Sequence, residues 1–148
     1  MATVFDVAKY IVARLGKVTT MKLQKLVYYS QAWNLAWDEV PIFEEEFQAW
    51  ANGPVCPELY QEHKGQFTVG SDFLADKGNI ETLTEDEINT IDAVLEFYGD
   101  KDPSWLSSLT HLETPWIEAR GNCPPGFPCN NVILKDKMQQ YYSSLIDG

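Results

Sequence analysis

His63 and His111 are the only imidazoles in the chain. His111 stands in polar company, with Thr110 beside it and Glu113 and Arg120 close behind. Serine or cysteine catalysis needs a nucleophile next to a base that a third group orients. Here there is no Gly-rich elbow, no HExxH and no phosphate loop to go with the histidine. The expected role of His111 and Glu113 is therefore to satisfy backbone groups where two helices meet, as buried polar groups usually do. An enzyme built on His111, Glu113 and Arg120 is the rival reading. It requires His111→Ala to abolish an activity without lowering stability.

Metal and thiol chemistry find little support. Cys56, Cys123 and Cys129 make an odd count with no CxxC pair. Free thiols are expected, with a bridge or a metal at Cys123 and Cys129 as the lesser alternative. Glu44, Glu45 and Glu46 are consecutive, so on an extended chain they point to opposite faces and do not converge on one ion. No cofactor is expected.

Charge narrows the partners. The net charge is −11. Lys9, Arg14, Lys17, Lys22 and Lys25 outnumber Asp6 at the start, but from Leu26 to His63 there is no Lys or Arg. From Gly78 to Leu134 only Lys101 and Arg120 oppose a run of acids. Nucleic-acid affinity draws on Lys and Arg neutralising phosphates, so an acidic body disfavours direct binding to DNA or RNA. Solubility is one consequence of the charge, and steering toward a basic partner is the sharper one. The longest apolar stretch, Leu26 to Trp37, is shorter than the roughly 20 residues of a membrane span, and MATVFDVAKY does not read as a signal sequence. No membrane association and a cytoplasmic location are expected.

The elements that must position these residues are mostly helical. Thr3 with Asp6 opens a first helix that Gly16 ends. Thr19 or Thr20 caps a second, running to about Trp37, which is apolar nearly all round after Lys25 and so belongs at the centre of the domain. Ile42–Phe43 and Phe47–Trp50 read as two short strands around the acidic turn, and Phe67–Val69 as a possible third. Asn52-Gly53-Pro54 reads as a turn, and Pro57 starts a short helix that stops at Gly65. Thr84 and Glu87 form a capping box before a helix with the stripe Ile88, Ile91, Leu95 and Tyr98. Asp102-Pro103 and Thr114-Pro115 each pair a capping side chain with a first-turn proline, for helices near 103–112 and 115–120. A proline-rich loop follows, then a helix from about Leu134 to Leu145 with Leu134, Met138, Tyr141, Tyr142 and Leu145 inward. The fold class is mainly α (α+β): a single multi-helix domain over 1–148 around a central apolar helix, with a small antiparallel hairpin or sheet.

Two segments stand out for joining a Trp to a Pro, AWANGPVCPELY (Ala49–Tyr60) and LTHLETPWIEAR (Leu109–Arg120). With MKLQKLVYYSQAW (Met21–Trp33) they resemble the Panacea domain family, which includes SocA-type antitoxins; NNVILKDKMQQYY (Asn130–Tyr142) also fits. The strongest matches are Ala49-Trp50, Gly53-Pro54, Thr110-His111 and Pro115-Trp116. Asp38-Glu39-Val40 departs from the Gly-containing turn expected before Pro41. The resemblance implies a mostly helical fold with a small sheet. It also implies an antitoxin of a bacterial or prophage toxin–antitoxin pair, neutralising a cognate toxin from an adjacent gene by direct protein binding. The alternatives it offers are an adaptor that delivers the toxin to a protease, as SocA does, and a phage-associated regulator of a host protein. Ala49, Gly53, Pro54, Thr110, His111, Glu113, Pro115, Trp116 and Arg120 are then family-motif residues with structural work. Trp37, Trp50, Asn52 and Tyr60 are the candidates for toxin contact, since aromatics at exposed edges act as interface anchors.

Overall fold

In the computed structural model, which describes residues 1–147, the Thr3 hydroxyl accepts the Asp6 N–H while the Asp6 carboxylate accepts the Thr3 N–H at 2.8 Å. That reciprocal cap starts α1 (Val4–Leu15), and Gly16 at φ +75° ends it. The domain expected over 1–148 thus has its last residue, Gly148, outside the described residues. After β1 (Val18–Thr19), the Thr19 hydroxyl caps α2 (Thr20–Trp37). Leu23 to Ala32 of α2 are buried without a break, because α1, α4 (Glu85–Tyr98), α5 (Pro103–His111) and α7 (Lys135–Asp147) surround it. A helix apolar on every side can be stable only in such a sheath.

β2 (Phe47–Trp50) lies between β3 (Gly53–Val55) and β5 (Val132–Ile133), antiparallel to both. β4 (Thr68–Val69) pairs separately with β1. Between them run α3 (Pro57–His63), and later α6 (Thr114–Arg120) leads into the proline loop. The expected class holds: mainly helical, with a small antiparallel part.

Several local expectations are corrected. Ile42–Phe43 is not a strand. Its backbone is held by one side chain: Gln31 Oε1 accepts the Ile42 N–H and Gln31 Nε2 donates to Phe43 O, each at 2.7 Å. Gln24, two turns earlier on α2, holds Cys56 in the same way, through the Cys56 N–H at 2.9 Å and the Cys56 carbonyl at 3.3 Å. The buried glutamines thus replace ladder partners that these segments lack. Gly53-Pro54 belongs to β3, and the turn is Ala51–Asn52 instead, set by the pairing of Trp50 with Gly53. Pro54 is tolerated because β3 is an edge strand. Phe67 lies outside β4 and is exposed. The acidic run leads into β2 and is no hairpin turn. Pro103 starts α5, but α6 begins one residue before its proline: Thr114, expected as the cap, is its first residue and Glu113 is the N-cap; neither helix has a side-chain cap bond, and the fixed proline φ suits the first turn. On α7, Met138 and Tyr142 face the core and Tyr141 packs half-buried against it, while Leu145 is exposed because the helix is covered on one narrow side; Leu134, expected inward as its first residue, precedes the helix and is exposed.

Glu39 occupies the turn where the family resemblance leads one to expect glycine, and it adopts φ +63°. A Cβ in the left-handed region costs roughly 1–2 kcal/mol, part of which the floppier unfolded glycine chain cancels. Glu39→Gly is therefore expected to raise stability by about 0.5–1 kcal/mol, read as a shift in the urea midpoint at unchanged slope. A lower midpoint would show that the Glu39 side chain contributes more than its backbone costs.

Candidate functional site

Four consecutive carbonyls, Ala49 to Asn52, are each met by a different side chain. Arg120 Nη1 donates to Ala49 O at 3.1 Å and Trp116 Nε1 to Trp50 O at 2.9 Å. His111 Nε2 lies 2.8 Å from Ala51 O, and Ser107 Oγ donates to Asn52 O at 2.6 Å. Ser107 and His111 are one turn apart on α5, and Trp116 and Arg120 one turn apart on α6, so each helix projects its pair from one face. The two Trp–Pro segments are thereby one unit: side chains of the second clasp the backbone of the first. Ser107 escaped notice in the sequence. Its only signal is the four-residue spacing from His111.

The same contacts show where the polar cluster's hydrogen bonds go. His111 has a carbonyl at each ring nitrogen, Ala51 O at Nε2 and Ser107 O at Nδ1, so both polar corners of the ring are turned to backbone, and a neutral imidazole with its single N–H donates to one of the two. The expectation of backbone satisfaction holds for His111. It fails for Glu113, whose Oε1 accepts from the hydroxyls of Tyr29 at 2.7 Å and Tyr142 at 2.8 Å. Burial pushes the Glu113 carboxyl above its ordinary range, and the two tyrosine hydrogen bonds partly offset this. Arg120 is 5 % exposed and also donates to Phe127 O and Pro124 O, tying the proline loop to the hairpin. That loop is closed by a Cys123–Cys129 disulfide, against the expectation of free thiols; the loop's turn brings their Cα atoms to 6.0 Å, within bridging range. Cys56 is buried and free, and burial pushes its thiol up to about 12, so it is a poor nucleophile.

The clasped hairpin forms one wall of a cavity of about 780 Å³. The first turns of α2, α3 and the disulfide loop form the others. Trp50 and Tyr60 meet edge to face at its side, with ring centroids 5.0 Å apart. Gln48 accepts the Trp50 indole N–H at 2.8 Å. Asn52 is exposed on the hairpin turn, and Met21 lies across the cavity on α2. Of the four contact candidates, Trp50, Asn52 and Tyr60 thus share one cavity. Trp37 does not. It is 46 % exposed, packs on Trp33 at 5.1 Å, and lies at the far end of α2, roughly 24 Å along the helix from Met21.

Lys25 sits in the cavity wall and is 1 % exposed. Its Nζ donates to Pro54 O at 3.2 Å, and it makes no ion pair among the described residues. Burial lowers the ammonium to about 8. Gly53, at φ +117°, leaves the space its stem needs: a Cβ there would lie 2.6 Å from Lys25 Cε. The other basic group in the wall, His63, is buried and its pKa is lowered, chiefly by desolvation and secondarily by the Lys25 charge. Since Gln24 Oε1 accepts the Cys56 N–H, Gln24 Nε2 is the donor to His63 Nε2 at 3.0 Å. His63 is thus held neutral with its proton on Nδ1.

The family model for the antitoxin SocA-like Panacea domain matches residues 23–117, well over half of the chain. The chain belongs to that family. No curated protein and no solved structure matches it. The Panacea match takes in most of α2, the hairpin, α3 and α5, and so contains Lys25, the cavity's aromatic wall and three of the four clasping side chains. Arg120, the disulfide loop and α7 lie beyond it, so the matched stretch is shorter than the resemblance of Asn130–Tyr142 implies. A Panacea domain of the SocA type is an antitoxin-family domain, and that family implies a toxin as its partner. No helix among the described residues is long and apolar enough to cross a membrane.

Proposed function

We propose that this Panacea-domain chain neutralises a cognate toxin, encoded by an adjacent gene, through direct protein–protein binding and without catalysis of its own. Its membership of the SocA-like antitoxin family carries the reading. The contact face is the rim where Trp50, Asn52 and Tyr60 come together on a hairpin held rigid from behind. Ordered aromatics lose little entropy on binding, which suits them to anchor an interface. Trp37 offers a second exposed anchor away from that rim. The net charge of −11 favours a toxin with a basic working face, such as one that handles nucleotides or RNA, through complementary potential.

Co-expression with the product of the neighbouring gene tests this. Relief of toxicity and co-elution on a sizing column are the expected results. Trp50→Ala and Tyr60→Ala should each weaken the complex about tenfold or more, which is 1.4 kcal/mol or above, with the circular dichroism spectrum retained. Trp37→Ala reports whether the second patch takes part. Unrelieved toxicity with no complex sinks the proposal. A toxin half-life shortened by this chain assigns it instead to a protease adaptor, and an unchanged half-life with neutralisation assigns it to blocking.

A further inference from the structure

The ammonium of Lys25 is a positive charge inside a strongly acidic protein, and no carboxylate of the described residues answers it. Burying an unpaired charge is costly, and such charges normally neutralise or find a counter-ion. Three donors project from Nζ, and Pro54 O is their one hydrogen-bond acceptor among the described residues. The same side chain borders a cavity of about 780 Å³, in the range of roughly 300–1,000 Å³ typical of small-molecule sites. Its aromatic wall is ready for a flat apolar body, because Gln48 already satisfies the Trp50 N–H and that edge makes no demand on a ligand.

We propose that this cavity is a binding site for a small organic carboxylate, its anionic group seated on Lys25 Nζ and its ring against Trp50 and Tyr60. A carboxylate fits better than a phosphate dianion, because one cation serves the site: His63 is neutral and its Nε2 is occupied by Gln24. The assignment does not rest on toxin binding. Antitoxin activity without a carboxylate site, or a carboxylate site without antitoxin activity, are separate results.

The test is calorimetric titration of the full chain with indole-3-acetate, and with indole-3-acetamide as its uncharged counterpart of nearly the same shape. At pH 7 the acid should bind at least tenfold more tightly than the amide. Lys25→Met should lose that preference while keeping the wild-type circular dichroism. Independently of any variant, wild-type affinity for the acid should fall at least fivefold between pH 7 and pH 9.5, as Lys25 loses its proton, while affinity for the amide stays level. Equal affinities for acid and amide, a preference that survives in Lys25→Met, or no binding of either probe would each overturn the assignment. Phenyl phosphate is the further arm: tighter binding than indole-3-acetate would overturn the choice of carboxylate.

Discussion

Replacing Glu113 by alanine is expected to cost about 2–6 kcal/mol, since leaving a buried donor without its acceptor costs about 1–3 kcal/mol each. Two buried phenols, Tyr29 and Tyr142, lose their acceptor at once. The Tyr28 and Tyr142 hydroxyls are 3.2 Å apart, and because Tyr142 spends its one hydrogen on Glu113, Tyr28 supplies the hydrogen of that contact. Loss of the carboxylate therefore disturbs a chain of three tyrosines between α2, α6 and α7. Glu113→Gln keeps an oxygen for both phenols and removes the charge. Because the folded carboxyl titrates above its unfolded value, the stability it carries is full below about pH 4.5 and is lost as pH rises through the folded pKa. The glutamine variant has no such loss. It should match or exceed wild type at pH 7, with its advantage shrinking as pH falls toward 4.5. Urea midpoints at the two pH values check both variants. A glutamine variant as damaged as the alanine one would mean that the negative charge itself holds the tyrosines.

Lys25→Met is expected to stabilise the ligand-free protein at pH 7. The folded pKa of about 8 lies below the ordinary 10.5. The folded state thus prefers the neutral amine, and holding the proton costs about 3 kcal/mol at pH 7. The sign follows: between pH 8 and 10.5 the unfolded chain binds the extra proton, so wild-type stability gains with rising pH from this group. Methionine has no charge to bury but forfeits the hydrogen bond to Pro54 O, worth about 1 kcal/mol. The variant should therefore be about 2 kcal/mol more stable at pH 7 and about 1 kcal/mol less stable at pH 10.5. Taking the difference between the two proteins cancels the tyrosines, which also titrate at high pH. A variant less stable than wild type at pH 7 would show that a counter-charge already compensates the ammonium. A residue that weakens the fold it sits in is characteristic of binding sites, where function takes precedence over stability.

Much of the fold was legible because its signals are local. Thr3 with Asp6 and Thr84 with Glu87 are capping boxes within four residues, and both form. Pro57, Pro103 and Pro115 lie in first turns, where a missing N–H costs nothing. The central place of α2 followed from its lack of a polar face. The misreadings share the opposite character. Ile42–Phe43 has the composition of a strand, yet its partner is the side chain of Gln31 on a helix. The Cys123–Cys129 bridge depends on how the loop between them turns, which an odd cysteine count and spacing did not reveal.

The amino-acid sequence by itself determined the helices to within a residue or two at their ends, the mainly helical class and the family, because each rests on residues a few positions apart or on an ordered set of motifs. Tertiary structure alone decided what the polar residues do. That His111 serves backbone groups was expected, but which ones, and that Ser107, Trp116 and Arg120 join it, is seen only when the hairpin carbonyls of Ala49 to Asn52 lie against them. Lys25 reads as an ordinary lysine in the early turns of α2 until Gly53 and Pro54 close over it. The reason is physical: a side chain's conformational preference is set by its neighbours in sequence, but its solvation and its hydrogen-bond partners are set by whatever distant segment covers it.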